Sequence, residues 1–98
     1  MTDTTPQTET PDARLKRMRM RSWRRGIREM DLILGPWADA EIERLDPAAL
    51  DLYDRLLEEN DQDLYPWISG ALPCPPQYVE MLDRIGTFAR TRHGRITS

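Results

Sequence analysis

The sequence predicts an all-α fold, a small bundle of about five short helices. Three observations carry that expectation. Apolar residues recur at helical spacing, most clearly Ile27, Met30, Ile33, Leu34, Trp37 and Ala38. Helix-start signals punctuate the chain, as in Asp46-Pro47. No segment alternates apolar and polar residues convincingly enough for a strand, and no internal repeat is detectable.

Residues 1–11 are rich in Thr, Pro and Gln and read as a disordered N-terminal tail, too polar to fold alone. The helical domain is expected over 12–92 and a short C-terminal tail over 93–98. Asp12 can cap a first helix spanning Ala13 to about Ser22. Its apolar stripe, Leu15 and Met18, is narrow, so this helix should lean on the others. A second helix is expected from near Gly26 to about Leu45, broken or kinked at Gly35-Pro36, because proline removes a backbone donor and clashes with the preceding turn. Asp46 as cap and Pro47 at the first position open a third helix with Ala49, Leu50, Tyr53, Leu56 and Leu57 inward, and Asn60 can close it. Asp63 caps a short fourth helix, Leu64 to Ser69, which Gly70 ends. After the stiff Pro73-Cys74-Pro75-Pro76 connector, a fifth helix runs from about Pro76 to Arg92 with Val79, Leu82, Ile85, Phe88 and Ala89 inward. Arg90, Arg92 and His93 complement its C-terminal dipole. Trp37 and Trp67 are expected in the core.

Ninety-eight residues allow one domain. A chain this small buries only about 60–65% of its unfolded surface, which favours a binding protein over a self-contained cofactor enzyme. The net charge of −3 conceals an asymmetry: eight basic and no acidic residues lie between Arg14 and Arg28, and twelve acidic residues against Arg44 and Arg55 lie between Glu29 and Asp63. Such a dipolar molecule can be steered toward an acidic partner surface. The lone Cys74 fits a reducing compartment. No apolar run approaches the roughly 20 residues of a membrane span. The first 12 residues resemble neither a signal nor a transit peptide, so a bacterial cytoplasmic setting is expected.

The densest functional signal is Arg24-Arg25-Gly26-Ile27-Arg28-Glu29-Met30-Asp31. Glycine costs about 1 kcal/mol against alanine inside a helix, so a bare backbone at residue 26 asks for a reason. It permits a turn, or it lets a partner approach closely. If a helix runs through Arg25 and Glu29, they share a face beside that bare spot. As a surface ion pair they would contribute only about 0.2–0.5 kcal/mol. The patch suggests a docking surface for another macromolecule. Trp23 reads equally as an interface anchor, a ring stacked on Arg19 or Arg24, or a cover for the core edge. No nucleophile arrangement or zinc-ligand spacing stands out, so no catalytic residue and no metal site are expected.

These residues also carry a resemblance. Arg25-Gly26-Ile27-Arg28-Glu29 resembles the RGxxE signature of the small FAD assembly factors of succinate dehydrogenase. Met30-Asp31-Leu32-Ile33-Leu34 is similar to that family's step into its second helix. Leu56-Leu57-Glu58, Asp61-Gln62-Asp63-Leu64 and Trp67-Ile68 resemble its second block. The likeness covers roughly residues 14–90. It implies a chaperone, not an enzyme, that promotes covalent attachment of FAD to the flavoprotein subunit of succinate dehydrogenase, with fumarate reductase as a related client. The bond implied joins a client histidine to the flavin 8α-methyl carbon. The resemblance implies that Arg25, Gly26 and Glu29 contact the client, with Arg24 and Asp31 as flanking candidates. It also implies that FAD resides on the partner and that a monomer forms a transient heterodimer. No nucleic acid and no membrane insertion are expected. Two alternatives remain at this point: a nucleic-acid-binding module using the Arg14–Arg28 segment, and a generic helical adaptor or antitoxin-like regulator.

Overall fold

The structure is a computed structural model that describes residues 9–97, with side chains through residue 91. Five α-helices pack around one core: α1 (Pro11–Trp23), α2 (Arg28–Glu41), α3 (Pro47–Leu56), α4 (Asp61–Ser69) and α5 (Val79–Thr97). Short 3-10 turns, Ile42–Arg44 and Pro76–Tyr78, follow α2 and precede α5. There is no strand among the described residues. The tail expected over 1–11 falls mostly outside the described residues, but Thr10 caps α1 by accepting from Ala13 N–H (3.1 Å), and Pro11 takes its first position. At the other end, α5 continues to Thr97, past the end expected near Arg92. The side chains of Arg92 and His93 lie outside the described residues.

Local signals set most boundaries. Asp46 accepts from Ala49 N–H (2.8 Å) and Pro47 opens α3, as expected. Gly70 ends α4 in the left-handed region at φ 86°, where a Cβ would be strained. Leu72 N–H then returns to the Pro66 carbonyl (3.2 Å), satisfying one of the last helix carbonyls. The start of α4 differs from expectation. Asn60, not Asp63, is the cap, accepting from Gln62 N–H (2.9 Å), so Asn60 opens α4 instead of closing α3.

The break expected at Gly35-Pro36 does not occur: α2 runs unbroken from Arg28 to Glu41. Pro36 frees the carbonyl of Leu32, a residue 48% exposed, where solvent can reach it. Gly35 has a different task. A Cβ there would meet the Trp23 indole at 2.3–2.6 Å, so the glycine is the seat of that ring. Trp23 covers the core edge while staying 40% exposed, and its Nε1–H donates to Asp39 (3.2 Å).

The core comprises Met18 of α1; Met30, Leu34, Trp37 and Ala38 of α2; Ile42 of the turn after it; Tyr53 and Leu56 of α3 with the adjoining Leu57; Leu64 of α4; Tyr78 of the turn before α5; and Met81, Leu82 and Ile85 of α5. The first helix therefore contributes a fully buried methionine rather than only leaning on the rest. Trp37 and Tyr53 pack at 4.9 Å between centroids, tilted by 53°. The buried Tyr53 hydroxyl finds Ser22 Oγ at 2.6 Å, and Ser22 also donates to the Met18 carbonyl (2.8 Å). Burial pushes the Tyr53 phenol well above its ordinary range.

Charge fastens α1 to α3. Arg14 reaches Asp51 (2.8 Å) and Asp54 (3.2 Å), and Arg17 grips Asp54 through two nitrogens (3.0 and 2.9 Å) while holding Glu9 (2.7 Å). Hydrogen bonds from Arg17 hold the carboxyls of Asp54 and Glu9 below their ordinary values. A carboxyl depressed in the folded state contributes stability above its unfolded value of about 4 and loses it as pH falls through the folded value. The thermal midpoint should therefore fall on acidification below about pH 4, and Asp54→Asn should flatten that decline relative to wild type. Equal acid slopes in melting curves would contradict this reading.

Candidate functional site

The site is the four-residue link between α1 and α2, together with the turn it leans on. Arg25 and Glu29 do not share a helix face, because Arg25 precedes α2 and Glu29 sits in its first turn. In place of the surface ion pair that a shared face would allow, Arg25 makes a different one. Arg25 Nε meets Asp61 Oδ1 at 2.8 Å, with the two side chains 6% and 8% exposed. Its Nη1 donates to the Leu57 carbonyl (2.9 Å) and its Nη2 to the Glu59 carbonyl (3.0 Å). The guanidinium thus caps the end of α3 and stitches the α3–α4 turn to the α1–α2 link. Only a planar fork with several donors can serve three acceptors in this way.

Asp61 does a second thing: its Oδ2 accepts the Gly26 N–H. A Cβ on Gly26 would stand 3.0 Å from that same oxygen. The glycine is bare because a carboxylate lies against it, and its φ is not in the left-handed region. Asp31, on α2, accepts the Arg25 N–H at 2.5 Å. The link is therefore pinned by one carboxylate from α2 and one from α4. Tyr78 supports the turn from beneath, donating to Glu59 Oε2 (2.9 Å). Burial first, and then that hydrogen bond, push its phenol up to about 12.

The outer face is different. Arg24, Gly26, Ile27, Arg28 and Glu29 are exposed, and Leu32 stands one turn further along α2. Among the described residues, Arg24, Arg28 and Glu29 have no side-chain hydrogen-bond or ion-pair partner. Glu29 lies where the α2 dipole favours an acid. The five candidate residues accordingly divide. Arg25 and Asp31 are spent inward, Arg24 and Glu29 face solvent, and Gly26 does both. Separately, residues of α2, α4 and α5, among them Ile33, Tyr65, Ile68, Ser69, Ala89 and Arg90, line a groove of about 330 Å³.

Sequence reasoning missed Asp61 as a member of the site and the exposed Ile27, Arg28 and Leu32 as its surface. A signal existed for Asp61, since it lies in the second of the two blocks that carried the resemblance. For Leu32 the signal was its place off the Met30/Ile33/Leu34/Trp37 stripe.

The basic run is largely neutralised from within. Arg14, Arg17, Arg19, Arg21 and Arg25 all have carboxylate partners. Among the described residues only Lys16, Arg24 and Arg28 of that run lack one. These ion pairs leave less free positive charge for a phosphate backbone than the sequence count suggests. No group of three or more His, Cys, Asp or Glu among the described residues is placed to hold a metal. No helix there is long and apolar enough to cross a membrane.

Comparison with known proteins gives a consistent result. Residues 16–89 match the family described as flavinator of succinate dehydrogenase. The chain is 40% identical over 70 residues to the mitochondrial succinate dehydrogenase assembly factor 2 of Schizosaccharomyces pombe, covering 71% of this chain and 50% of that protein. It is 41% identical over 75 residues to the protein of the same name from Meyerozyma guilliermondii, covering 74% and 56%. With the Danio rerio protein of that name it shares 32% over 87 residues, covering 86% and 55%. The chain thus spans about half the length of these relatives. Their names also correct one expectation. The relatives are eukaryotic proteins named as mitochondrial, which points away from the bacterial cytoplasm expected from the first 12 residues.

Proposed function

The chain belongs to the family of succinate dehydrogenase flavinators, and from that premise we propose that it is an assembly factor promoting covalent attachment of FAD to the flavoprotein subunit of succinate dehydrogenase. The family match across residues 16–89 carries this reading. The geometry supplies a means. The outer face of the link, from Arg24 to Glu29 with Leu32, is an exposed strip of mixed charge and apolar surface fixed to the bundle by part-buried hydrogen bonds. A strip held in one shape binds without first being ordered, which lowers the cost of association.

The protein's part is positioning and not chemistry. The flavin belongs to the client, and joining a client histidine to the flavin 8α-methyl carbon, with loss of one N–H and one C–H bond and two electrons passing to the flavin, would be the chemistry of the client and its flavin. Holding the client in a competent geometry can lower such a barrier by several kcal/mol, on the order of 7 in favourable cases, with no catalytic side chain. Glu29 accepts donors from the client, Arg24 and Arg28 meet its acidic or carbonyl groups, and Gly26 allows close backbone approach. The complex is a transient heterodimer, and the flavoprotein subunit of fumarate reductase is a second client of the same kind.

The test is in-gel flavin fluorescence of the denatured flavoprotein subunit in cells with and without this gene. The covalent flavin signal should be lost without it, return with wild type, and fail to return with Gly26→Arg. Unchanged flavinylation at equal client levels would refute the assembly role.

A further inference from the structure

We propose that Asp61 is the positioning residue of the partner-binding strip, and that Arg25 acts on the partner through Asp61 instead of touching it. This rests on the proposed assembly role for its consequence, though not for its geometry. The argument begins with burial. A carboxylate and a guanidinium whose side chains are 8% and 6% exposed offer little surface with which to meet a partner. Each of the three guanidinium nitrogens of Arg25 already donates inward, to Asp61, the Leu57 carbonyl and the Glu59 carbonyl. The same carboxylate that holds Arg25 through Oδ1 holds the Gly26 N–H through Oδ2. One side chain from α4 thus fixes two consecutive residues of the link, immediately before the exposed Ile27-Arg28-Glu29.

The chemistry explains why an acid is required. Both ligands of the Asp61 carboxyl are N–H donors, so both of its oxygens must accept. A carboxylate offers two acceptors, and an amide of the same shape offers one acceptor and one donor. Asparagine at 61 would satisfy either Arg25 or Gly26 and face the other donor against donor. The link would then lose one of its two anchors and the buried Arg25 its counter-charge, which lowers stability, while the helices, whose core Asp61 does not build, still form.

The experiment uses the full chain and two readouts. The first is the amide signal and hydrogen-exchange rate of Gly26 in the free protein. In Asp61→Asn the Gly26 amide proton should move upfield and exchange at least tenfold faster, with the helical circular dichroism unchanged. The second is affinity for the isolated flavoprotein subunit, measured by calorimetry for Arg25→Lys, Asp61→Asn and the double variant. Each single change should weaken binding about tenfold or more, and the double should be no worse than the weaker single, as for residues acting as one unit. A Gly26 amide unmoved by Asp61→Asn would overturn the anchor. Affinity losses that multiply in the double variant would overturn the indirect role of Arg25 and give it a contact of its own. Failure of the wild type to bind that subunit would sink the proposed function, while the amide readout would still decide the anchor.

Discussion

Arg25→Ala is expected to cost about 3–5 kcal/mol of folding stability, the usual penalty for removing one member of a buried ion pair. The truncation leaves the Asp61 carboxylate buried without its cation and strips a donor from the Leu57 and Glu59 carbonyls. Arg21 still reaches Leu57 (3.1 Å), so that carbonyl is not orphaned, but Glu59 loses its guanidinium donor. Single domains are stable by only about 5–15 kcal/mol, so the variant should melt far earlier in denaturant. Glu29→Ala is the matched control. Its side chain is exposed and makes no hydrogen bond among the described residues, so stability should stay within about 0.5 kcal/mol. The two ends of one five-residue motif then separate: one holds the fold, and the other presents a charge to a partner. Equal midpoints for the two variants in urea would undo this division. The comparison also matters for interpreting any functional assay, because a loss of activity in Arg25→Ala would report a loosened bundle as much as a lost contact.

That division was not legible in the sequence, for a physical reason. Periodicity and capping are local signals, and they placed what local chemistry decides: the Asp46-Pro47 start of α3, the Gly70 stop of α4 and the burial of Trp37. The partner of Arg25 lies on a helix far along the chain, and no local pattern announces it. The likeness to a known family had already marked both blocks, and the fold shows that they are one structure, with Arg25 and Gly26 of the first closing on Leu57, Glu59 and Asp61 near the second. The misplaced start of α4 follows from the same contact. Asn60 and Asp63 are both good caps, but a start at Asn60 delivers Asp61 to the buried pair. In α5 one expected inward residue was wrong, while Leu82 and Ile85 are buried as expected. Val79 is 54% exposed, and Tyr78 and Met81 are inside instead. Tyr78, Met81, Leu82 and Ile85 form the i, i+3, i+4, i+7 stripe, and Val79, one residue off it, opens α5 on the solvent side.

Gly35→Ala makes the sharpest test of the fold's least expected contact. In an ordinary helix interior this change stabilises by about 1 kcal/mol. Here the new methyl would stand 2.3–2.6 Å from the Trp23 ring, well inside contact distance, and the ring is a rigid plane that cannot yield by rotating one terminal bond. Either the indole leaves its seat or α2 shifts away from α1. Overpacking of this kind costs about 1–3 kcal/mol and should outweigh the propensity gain. The fluorescence attributable to Trp23, defined by difference against Trp23→Phe, should shift to the red as the ring enters water. The decisive measurement is the double variant. In a Trp23→Ala background the obstacle is gone, and Gly35→Ala should become stabilising by up to about 1 kcal/mol, reversing its sign. A destabilisation of equal size in both backgrounds would mean that the glycine answers to something other than the ring, and that Trp23 is free to serve the partner surface alone.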